Sequence, residues 1–150
     1  MSLIVYNYHY EHGIDEKRRI IIPARWRGEK DKTEYTIVLW KKEVLPDEDL
    51  CLLVIPPETM EHVMSEINKM KLGDPNAEIL KMLIGYHSFQ AEIDKAGKIL
   101  IPEEFANQAG LNDKVLLVGM MNMFAIWNPE RFKKIKDKYR EKASDAYAIF

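Results

Sequence analysis

The chain has 150 residues, 47% of them hydrophobic, and its 22 Lys and Arg against 24 Asp and Glu leave a net charge of −2. This balance excludes a protein that binds nucleic acid through overall positive charge, so any such binding must come from local patches. No apolar run approaches the ~18 residues of a membrane span, and no basic-then-apolar leader opens the chain. We therefore expect a soluble, intracellular protein with no membrane partner.

The sequence has few residues that could form a catalytic or metal-binding site. Cys51 is the only cysteine, which rules out an internal disulfide, and its apolar neighbours predict a thiol that faces the core. His9 and His12 lie three residues apart, a spacing that puts them on opposite faces of a strand and argues against a shared metal. There is no glycine-rich phosphate loop, zinc-spaced cysteine pair or nucleophile elbow. We predict no catalytic residues, no metal site and no cofactor.

The first part of the chain predicts a β-hairpin. Residues 3–10 hold aliphatic residues and three tyrosines, which suits a strand that packs rings on one side. Residues 14–23 read Ile-Asp-Glu-Lys-Arg-Arg-Ile-Ile-Ile-Pro, a charged turn followed by a short strand that Pro23 ends. A helical turn anchored in the core by Trp26 and a strand at 35–40 should follow.

Beyond a strand at 51–55, the middle of the chain predicts two helices. Residues 58–70 place an apolar stripe on one helical face, made of Met60, Val63, Met64, Ile67 and Met70. We expect this stripe to pack in the core, although methionine-rich stripes also form adaptable binding grooves. The residues from Gly73 to Pro75 break the chain, and a second helix ends at Gly85.

The second half of the chain repeats the first. Residues 93–102 read Ile-Asp-Lys-Ala-Gly-Lys-Ile-Leu-Ile-Pro and match 14–23 at an offset of 79 residues. Gly97 supplies the positive φ that such a turn often needs. At the same offset Trp26 matches Phe105. The duplication makes coincidence a poor explanation and predicts two copies of one structural unit.

The offset also locates an insertion. Residues 37–39 match 116–118 at an offset of 79, whereas 51–58 match 123–130 at an offset of 72. Copy one therefore carries seven extra residues between its third and fourth strands. This segment is acidic, with Glu43, Asp47, Glu48 and Asp49.

The second copy continues with elements that correspond to those of the first. A strand at 86–93 precedes the turn, a helix follows from Pro102 to Gly110, and strands are expected at 114–120 and 123–127. A last helix begins after Asn128, a favourable capping residue, and carries a basic run that is typical of a solvated face. The apolar tail after it either docks on a surface or frays.

Both copies resemble the AbrB-type swapped-hairpin domain, and their tandem arrangement with helices after each copy resembles the MraZ family of bacterial transcriptional regulators. The match covers about residues 8 to 140, and its most specific part is the twice-used Asp, three residues, a cation, three aliphatics and Pro. The family pattern there is Asp-x-x-Gly-Arg. Copy one has Arg18 in place of Gly, and copy two has Lys98 in place of Arg.

The resemblance implies an α+β fold in which two swapped-hairpin repeats interleave about a pseudo-twofold axis into a barrel-like core, each followed by helices. Its expected divisions are repeat 1 at 8–57, a helical connector at 58–85, repeat 2 at 86–129, and a C-terminal helix and tail at 130–150. One copy alone would leave β edges and one core face open, so the two copies should form one unit.

The resemblance further implies a sequence-specific DNA-binding repressor, cytoplasmic and nucleoid-associated, that acts on double-stranded DNA without a cofactor as a ring-like homo-oligomer. The DNA-contacting candidates are Arg19 and Lys98, helped by Lys17, Arg18 and Lys95, with Arg25 and Arg27 as phosphate contacts. Each turn aspartate, Asp15 or Asp94, should accept backbone N–H bonds and orient the cation four residues on.

Two alternatives stay open from the sequence. The turn cations could be ordinary solvated side chains, and Arg18 could strain the first turn or bend it into another type, which would displace Arg19. The fold could also serve an oligomeric interaction protein that does not bind DNA and recruits another protein through the acidic insertion and the apolar tail.

Overall fold

The computed structural model describes residues 3–28, 33–41 and 50–148 and shows a mixed α+β fold, as the sequence predicts. The acidic insertion, Lys30, Lys32 and the last two residues of the tail lie outside the described residues. The strands are β1 (His9–Gly13), β2 (Arg19–Ile21), β3 (Glu34–Lys41), β4 (Leu50–Ile55), β5 (Ser88–Glu92), β6 (Lys98–Leu100), β7 (Lys114–Gly119) and β8 (Phe124–Trp127). The helices are α1 (Pro57–Asn68), α2 (Pro75–Tyr86), α3 (Glu103–Gln108) and α4 (Pro129–Tyr147), with a 3-10 turn at Ala24–Trp26.

Strands from the two copies combine within each sheet. Six strands form an antiparallel sheet in the order β1-β7-β8-β4-β3-β5, and β2 pairs with β6 in a separate two-stranded ribbon. The first strand of each copy therefore pairs with the third strand of the other, as β1 with β7 and β5 with β3. The two halves of the chain therefore share one core cluster.

The described strands do not close into the expected barrel. The six-stranded sheet is open, with β1 and β5 as its two edges. The remaining strands, β2 and β6, hydrogen-bond to each other and leave both edges unpaired within the described part of the chain. The barrel-like closure is thus replaced by an open sheet and a ribbon packed over it.

Corresponding residues of the two copies face each other at two places. Ile20 lies opposite Ile99 in the ribbon, and these residues correspond at the offset of 79. Leu53 lies opposite Ala125 in the large sheet, and these residues correspond at the offset of 72. Because a twofold axis relates each residue to its counterpart, a local twofold axis passes between both pairs.

The strand register corrects one part of the sequence match. Val38 pairs with Leu53, and Val118 pairs with Ala125, which is the counterpart of Leu53. Val38 therefore corresponds to Val118, an offset of 80, and the match of 37–39 with 116–118 is wrong by one residue. A slip of one residue exchanges the two faces of a strand. In the structural register Ile37 corresponds to Leu117, and both are buried in the same core cluster.

The large sheet buries both faces of its central strands β3, β4 and β8. One face packs with the ribbon and the short helices in a cluster that includes Ile20, Ile99, Phe105 and Trp26. Trp26 is fully buried, as predicted, and its Nε1 donates to the Asn7 carbonyl oxygen at 3.2 Å. The other face packs against α4 through a second cluster that includes Ile135, Trp127 and the predicted core thiol of Cys51. Alternation along β3 and β4 separates the clusters.

The helical connector differs from its prediction. Of the α1 stripe, Met60 packs partly against the second cluster, but Met64 is 55% exposed. Several exposed side chains of α2 are also large and apolar, namely Ile79, Met82, Leu83 and Tyr86. The expectation that the α1 stripe packs in the core is therefore wrong for most of its length. Val63, Ile67 and Met70 are half-buried but belong to neither core cluster, so periodicity identified an apolar face that lies outside the core.

Candidate nucleic-acid interface

The first turn is built around the Asp15 carboxylate. The backbone N–H of Asp15 donates to the Arg19 carbonyl oxygen at 3.0 Å, and that of Arg18 donates to the Asp15 carbonyl oxygen at 2.9 Å. Oδ1 of Asp15 accepts two further backbone N–H groups, from Lys17 at 2.9 Å and from Arg19 at 2.8 Å. Four hydrogen bonds thus fix the backbone at the point where Arg19 begins β2.

The second turn has the same geometry. Asp94 N–H donates to the Lys98 carbonyl oxygen at 2.9 Å, and Gly97 N–H donates to the Asp94 carbonyl oxygen at 3.0 Å. Oδ1 of Asp94 accepts from the backbone of Ala96 and of Lys98, both at 2.9 Å. The repeat in sequence is therefore a repeat in hydrogen bonding, bond for bond.

Arg18 does not distort the first turn. It adopts φ of 59°, where its counterpart Gly97 has φ of 82°, so both residues use the left-handed region. That conformation costs an L-residue about 1–2 kcal/mol. The Arg18 Nε also donates to the Ile101 carbonyl oxygen at 3.3 Å, a bond across the two copies. Arg18 is strained in place, and Arg19 keeps the position that its counterpart Lys98 has.

Gly97→Ala is expected to lower the free energy of unfolding by about 1–2 kcal/mol, because alanine must take the left-handed conformation. Its Cβ would also meet the Arg27 guanidinium, which lies against Gly97. The matched control is Arg18→Gly, which removes strain at the equivalent position and should stay within about 1 kcal/mol of the wild type. Urea unfolding measures both. Equal stability of Gly97→Ala and the wild type would contradict the need for glycine in this turn.

Arg19 and Lys98 share the outer face of the β2–β6 ribbon. Ile20 and Ile99 between them are buried in the core, so alternation turns the two cations to the opposite side. Both side chains are about one third exposed, 37% for Arg19 and 32% for Lys98. The local twofold axis thus places the two predicted DNA-contacting cations on one surface.

The cations and the turn aspartates form one cluster across the two copies. Arg19 Nε lies 3.0 Å from Asp15 Oδ2, and its Nη1 lies 3.7 Å from Asp94 Oδ2. Lys98 was expected to pair with Asp94 in its own turn, but its Nζ lies 3.5 Å from Asp15 Oδ2. Each cation therefore reaches the carboxylate of the other copy.

The Asp15 pKa is held at about 2, below its ordinary value of 3.8, first by the backbone N–H of Arg19 and then by the Arg19 side chain and the Lys17 N–H. The ionised carboxylate stabilises the folded state fully above pH 3.8. That contribution is lost as the pH falls from about 4 through 2.

We expect wild-type stability to fall across this window more steeply than that of Asp15→Asn, which has no carboxyl group to titrate there. Urea unfolding at steps between pH 2 and pH 5 gives the two curves. Parallel curves for the wild type and the variant would show that Asp15 titrates alike in the folded and unfolded chains.

The other candidate cations surround the two turns to different degrees. Lys17 and Lys95 are exposed within the turns, and Arg25 is exposed on the 3-10 turn. Arg27 is half-buried, with its guanidinium against Gly97 and its Nε buried without a hydrogen-bond partner among the described residues. Lys17 and Lys95 thus add one exposed cation to the turn of each copy.

His12 belongs to this surface and was not predicted to. A shallow groove beside the charge cluster is lined by His12, Gly13, Ile14, Asp15, Arg19, Ile21 and Lys98. The imidazole is stacked near Tyr10, and its Nε2 is buried without a hydrogen-bond partner in the described part of the chain. The sequence feature that could have pointed to His12 is its position three residues before Asp15. The strand pattern alone predicts an ordinary surface residue there.

The basic run near the C-terminus lies elsewhere. It is part of α4, whose Ile135 packs in the second core cluster, on the sheet face opposite the ribbon. Asn128 caps this helix through Oδ1, which accepts from Glu130 N at 2.8 Å and Arg131 N at 3.1 Å. The cations of α4 and the turn cations therefore form two separate surfaces.

Neither a metal centre nor a membrane helix occurs among the described residues. No group of three His, Cys, Asp or Glu in 3–28, 33–41 and 50–148 is placed to hold a metal ion. Within the same ranges, no helix has the length and apolar character needed to cross a membrane.

Similarity to known proteins covers nearly the whole chain. A family model described as "MraZ protein" and "antitoxin-like" matches residues 84–148. The Transcriptional regulator MraZ of Methylococcus capsulatus (strain ATCC 33009 / NCIMB 11132 / Bath) is 30% identical over 132 residues, which cover 87% of this chain and 84% of that protein. The chain belongs to the MraZ family. Two further relatives are the Transcriptional regulator MraZ proteins of Leuconostoc citreum (strain KM20) and Nitrosospira multiformis (strain ATCC 25196 / NCIMB 11849 / C 71).

The MraZ match includes both repeats. The Leuconostoc citreum protein is 29% identical over 136 residues, 91% of this chain and 90% of its own, and the Nitrosospira multiformis protein is 30% identical over 119 residues, 79% and 78%. The family model itself begins within α2 and covers the second repeat and α4. These relatives are named transcriptional regulators, which is not an enzyme class, so MraZ membership assigns the chain to transcription regulation.

Proposed function

We propose that the chain is a sequence-specific DNA-binding repressor that contacts double-stranded DNA through its two repeated turns. The observation that carries this proposal is the pair of cations on the outer face of the ribbon, Arg19 and Lys98, related by the local twofold axis. Duplex DNA offers phosphates and base edges at regular spacing, which suits a repeated, rigidly mounted cation.

The two cations have different parts in the proposal. The Arg19 guanidinium can fork onto N7 and O6 of guanine, whereas the Lys98 ammonium acts as a point charge. Lys17, Arg18 and Lys95 add positive charge around the turns, and Arg25 and Arg27 are the proposed phosphate contacts. Copy one therefore carries more of the base specificity, and copy two carries more of the charge attraction.

The fold proposal is the swapped-hairpin unit. The exchange of β1 and β5 between the copies supports it, because each copy completes its sheet with a strand from the other. The hydrogen bonds from β2 to β6 support a rigid mounting for the cations. Such a unit presents two turn cations at a fixed separation without requiring a second chain.

We also propose that the chain assembles into a closed, ring-like homo-oligomer and works in the cytoplasm on the nucleoid. The exposed apolar side chains of α1 and α2 support assembly, since an apolar surface of this kind is stabilised when a second copy covers it. Repetition of the turn cations around a ring would convert weak single contacts into strong binding.

Light scattering at micromolar concentration is expected to give a mass of at least twice the chain mass of 17.6 kDa. Met82→Lys, which puts a charge on the exposed face of α2, should lower that mass. Glu78→Lys on the same helix is the control for an added cation and should leave the mass unchanged. A wild-type mass near 17.6 kDa would contradict the oligomer.

Selection of bound sequences from random DNA tests the DNA proposal. The expected result is a recurrent short motif that contains guanine, because Arg19 is the proposed base-reading residue and a guanidinium pairs with guanine. A pool that stays random after repeated rounds, from a protein shown to be folded, would contradict sequence-specific binding.

The second candidate is an oligomeric interaction protein that does not bind DNA. Two observations favour it: the turn cations are already paired with carboxylates, and the connector helices expose large apolar side chains away from the turns. A gel shift across a salt series separates the two functions. The interaction protein would give no shift at low salt, whereas the repressor would give one that salt removes.

A further inference from the structure

The two oxygens of each turn aspartate have separate tasks. In both copies Oδ1 accepts the backbone N–H groups that shape the turn, at 2.8 and 2.9 Å for Asp15 and 2.9 Å twice for Asp94. In both copies Oδ2 faces cations instead. The carboxylate thus holds its own turn with one oxygen and a side chain with the other.

The two Oδ2 atoms are not equivalent, although the turns are. Oδ2 of Asp15 receives Arg19 Nε at 3.0 Å and Lys98 Nζ at 3.5 Å. Oδ2 of Asp94 lies 3.7 Å from one nitrogen of Arg19. Asp15 is also the less exposed carboxylate, with 28% of its side chain accessible against 37% for Asp94.

We propose that Asp15 is the positioning residue for the DNA-contacting cations of both copies, whereas Asp94 holds its own turn and contributes little to either cation. This inference rests on the proposed DNA-binding function. Arg19 and Lys98 then act as one unit through a shared oxygen, so a change at Asp15 reaches both copies. The two aspartates are equivalent in the repeated motif, but Asp15 alone is the centre of the charge cluster.

The equivalent positions provide a matched pair of variants, Asp15→Asn and Asp94→Asn. Each keeps an Oδ1 to accept the backbone N–H bonds, and each removes one negative charge from the surface that faces DNA. Loss of that charge should raise affinity for phosphates alike in both variants. The difference between the variants therefore isolates the positioning of the cations.

We expect Asp15→Asn to bind the selected DNA about three- to tenfold more weakly than Asp94→Asn, with a smaller preference over scrambled DNA. A double-mutant cycle with Lys98→Ala should show coupling of about threefold or more for Asp15 and close to none for Asp94. Fluorescence anisotropy at fixed salt gives the affinities, and the selectivity ratio is a readout that a loosened turn alone would not change in one variant only.

Equal affinities and equal selectivity for the two variants, with a wild type that binds, would overturn the inference and leave the proposed function standing. A wild type that shows no salt-dependent binding would overturn the proposed function itself. Circular dichroism melts establish that each variant folds. If Asp15→Asn does not, Asp15→Glu and Asp94→Glu, which move the outer carboxylate oxygen, replace the pair. The same ranking is expected because two cations lie at that oxygen of Asp15 and one at that of Asp94.

Discussion

Replacing Arg19 by alanine should weaken binding to selected DNA by about 1–3 kcal/mol for each engaged chain and relax the preference for its bases. The reason is that a guanidinium held by Asp15 at 3.0 Å is pre-oriented, so little freedom is lost when it meets guanine. Anisotropy titrations against selected and scrambled DNA measure both effects.

Lys98→Ala is the matched comparison for this prediction. It should weaken binding to all sequences alike and reduce the slope of log affinity against log salt by about one unit for each phosphate that Lys98 neutralises in the wild type. The two effects separate base reading from charge attraction. If Arg19→Ala binds both DNAs as the wild type does, Arg19 is not the base-reading residue.

Trp26→Ala should lower the free energy of unfolding by about 3–5 kcal/mol, since it removes a large, fully buried side chain. The indole lies among the rings of Phe124, Tyr10 and Tyr6, with centroids 4.9, 5.2 and 5.8 Å away. These rings come from both copies, so the cavity left by the indole would weaken the packing between the two copies.

Urea unfolding followed by circular dichroism measures this destabilisation. Phe89→Ala is the control, because Phe89 is 41% exposed and its truncation should cost less than about 1 kcal/mol. A Trp26→Ala variant within about 1 kcal/mol of the wild type would mean that Trp26 is not the anchor between the sheet and the ribbon.

The duplicated turn was predictable because its residues are chemically distinct. Asp, a charged turn and a proline-ended aliphatic run recur at 15–23 and 94–102, and both sites form the same hydrogen bonds. The register of β3 against β7 was not predictable in this way. Ile37, Val38 and Leu39 can match several consecutive aliphatic residues of β7, and only the pairing with β4 and β8 fixes the offset at 80.

Side-chain contacts between the two copies could not be predicted from the sequence either. Spacing predicted the bond from Arg19 to Asp15, four residues apart, and the structure places these atoms at 3.0 Å. Lys98 and Asp15 are 83 positions apart in the sequence, and their ion pair forms only because β2 pairs with β6. For α1, periodicity showed which side is apolar, but burial depends on what other segments cover it.

The measurement that tests the DNA-binding role of the two turns most directly is wild-type binding to selected and scrambled DNA across a salt series. We predict tighter binding to the selected DNA at every salt concentration, and affinity for both DNAs that falls linearly on a log–log plot. Binding to neither DNA at low salt, or binding that salt does not weaken, would contradict the assignment of the two turns to DNA.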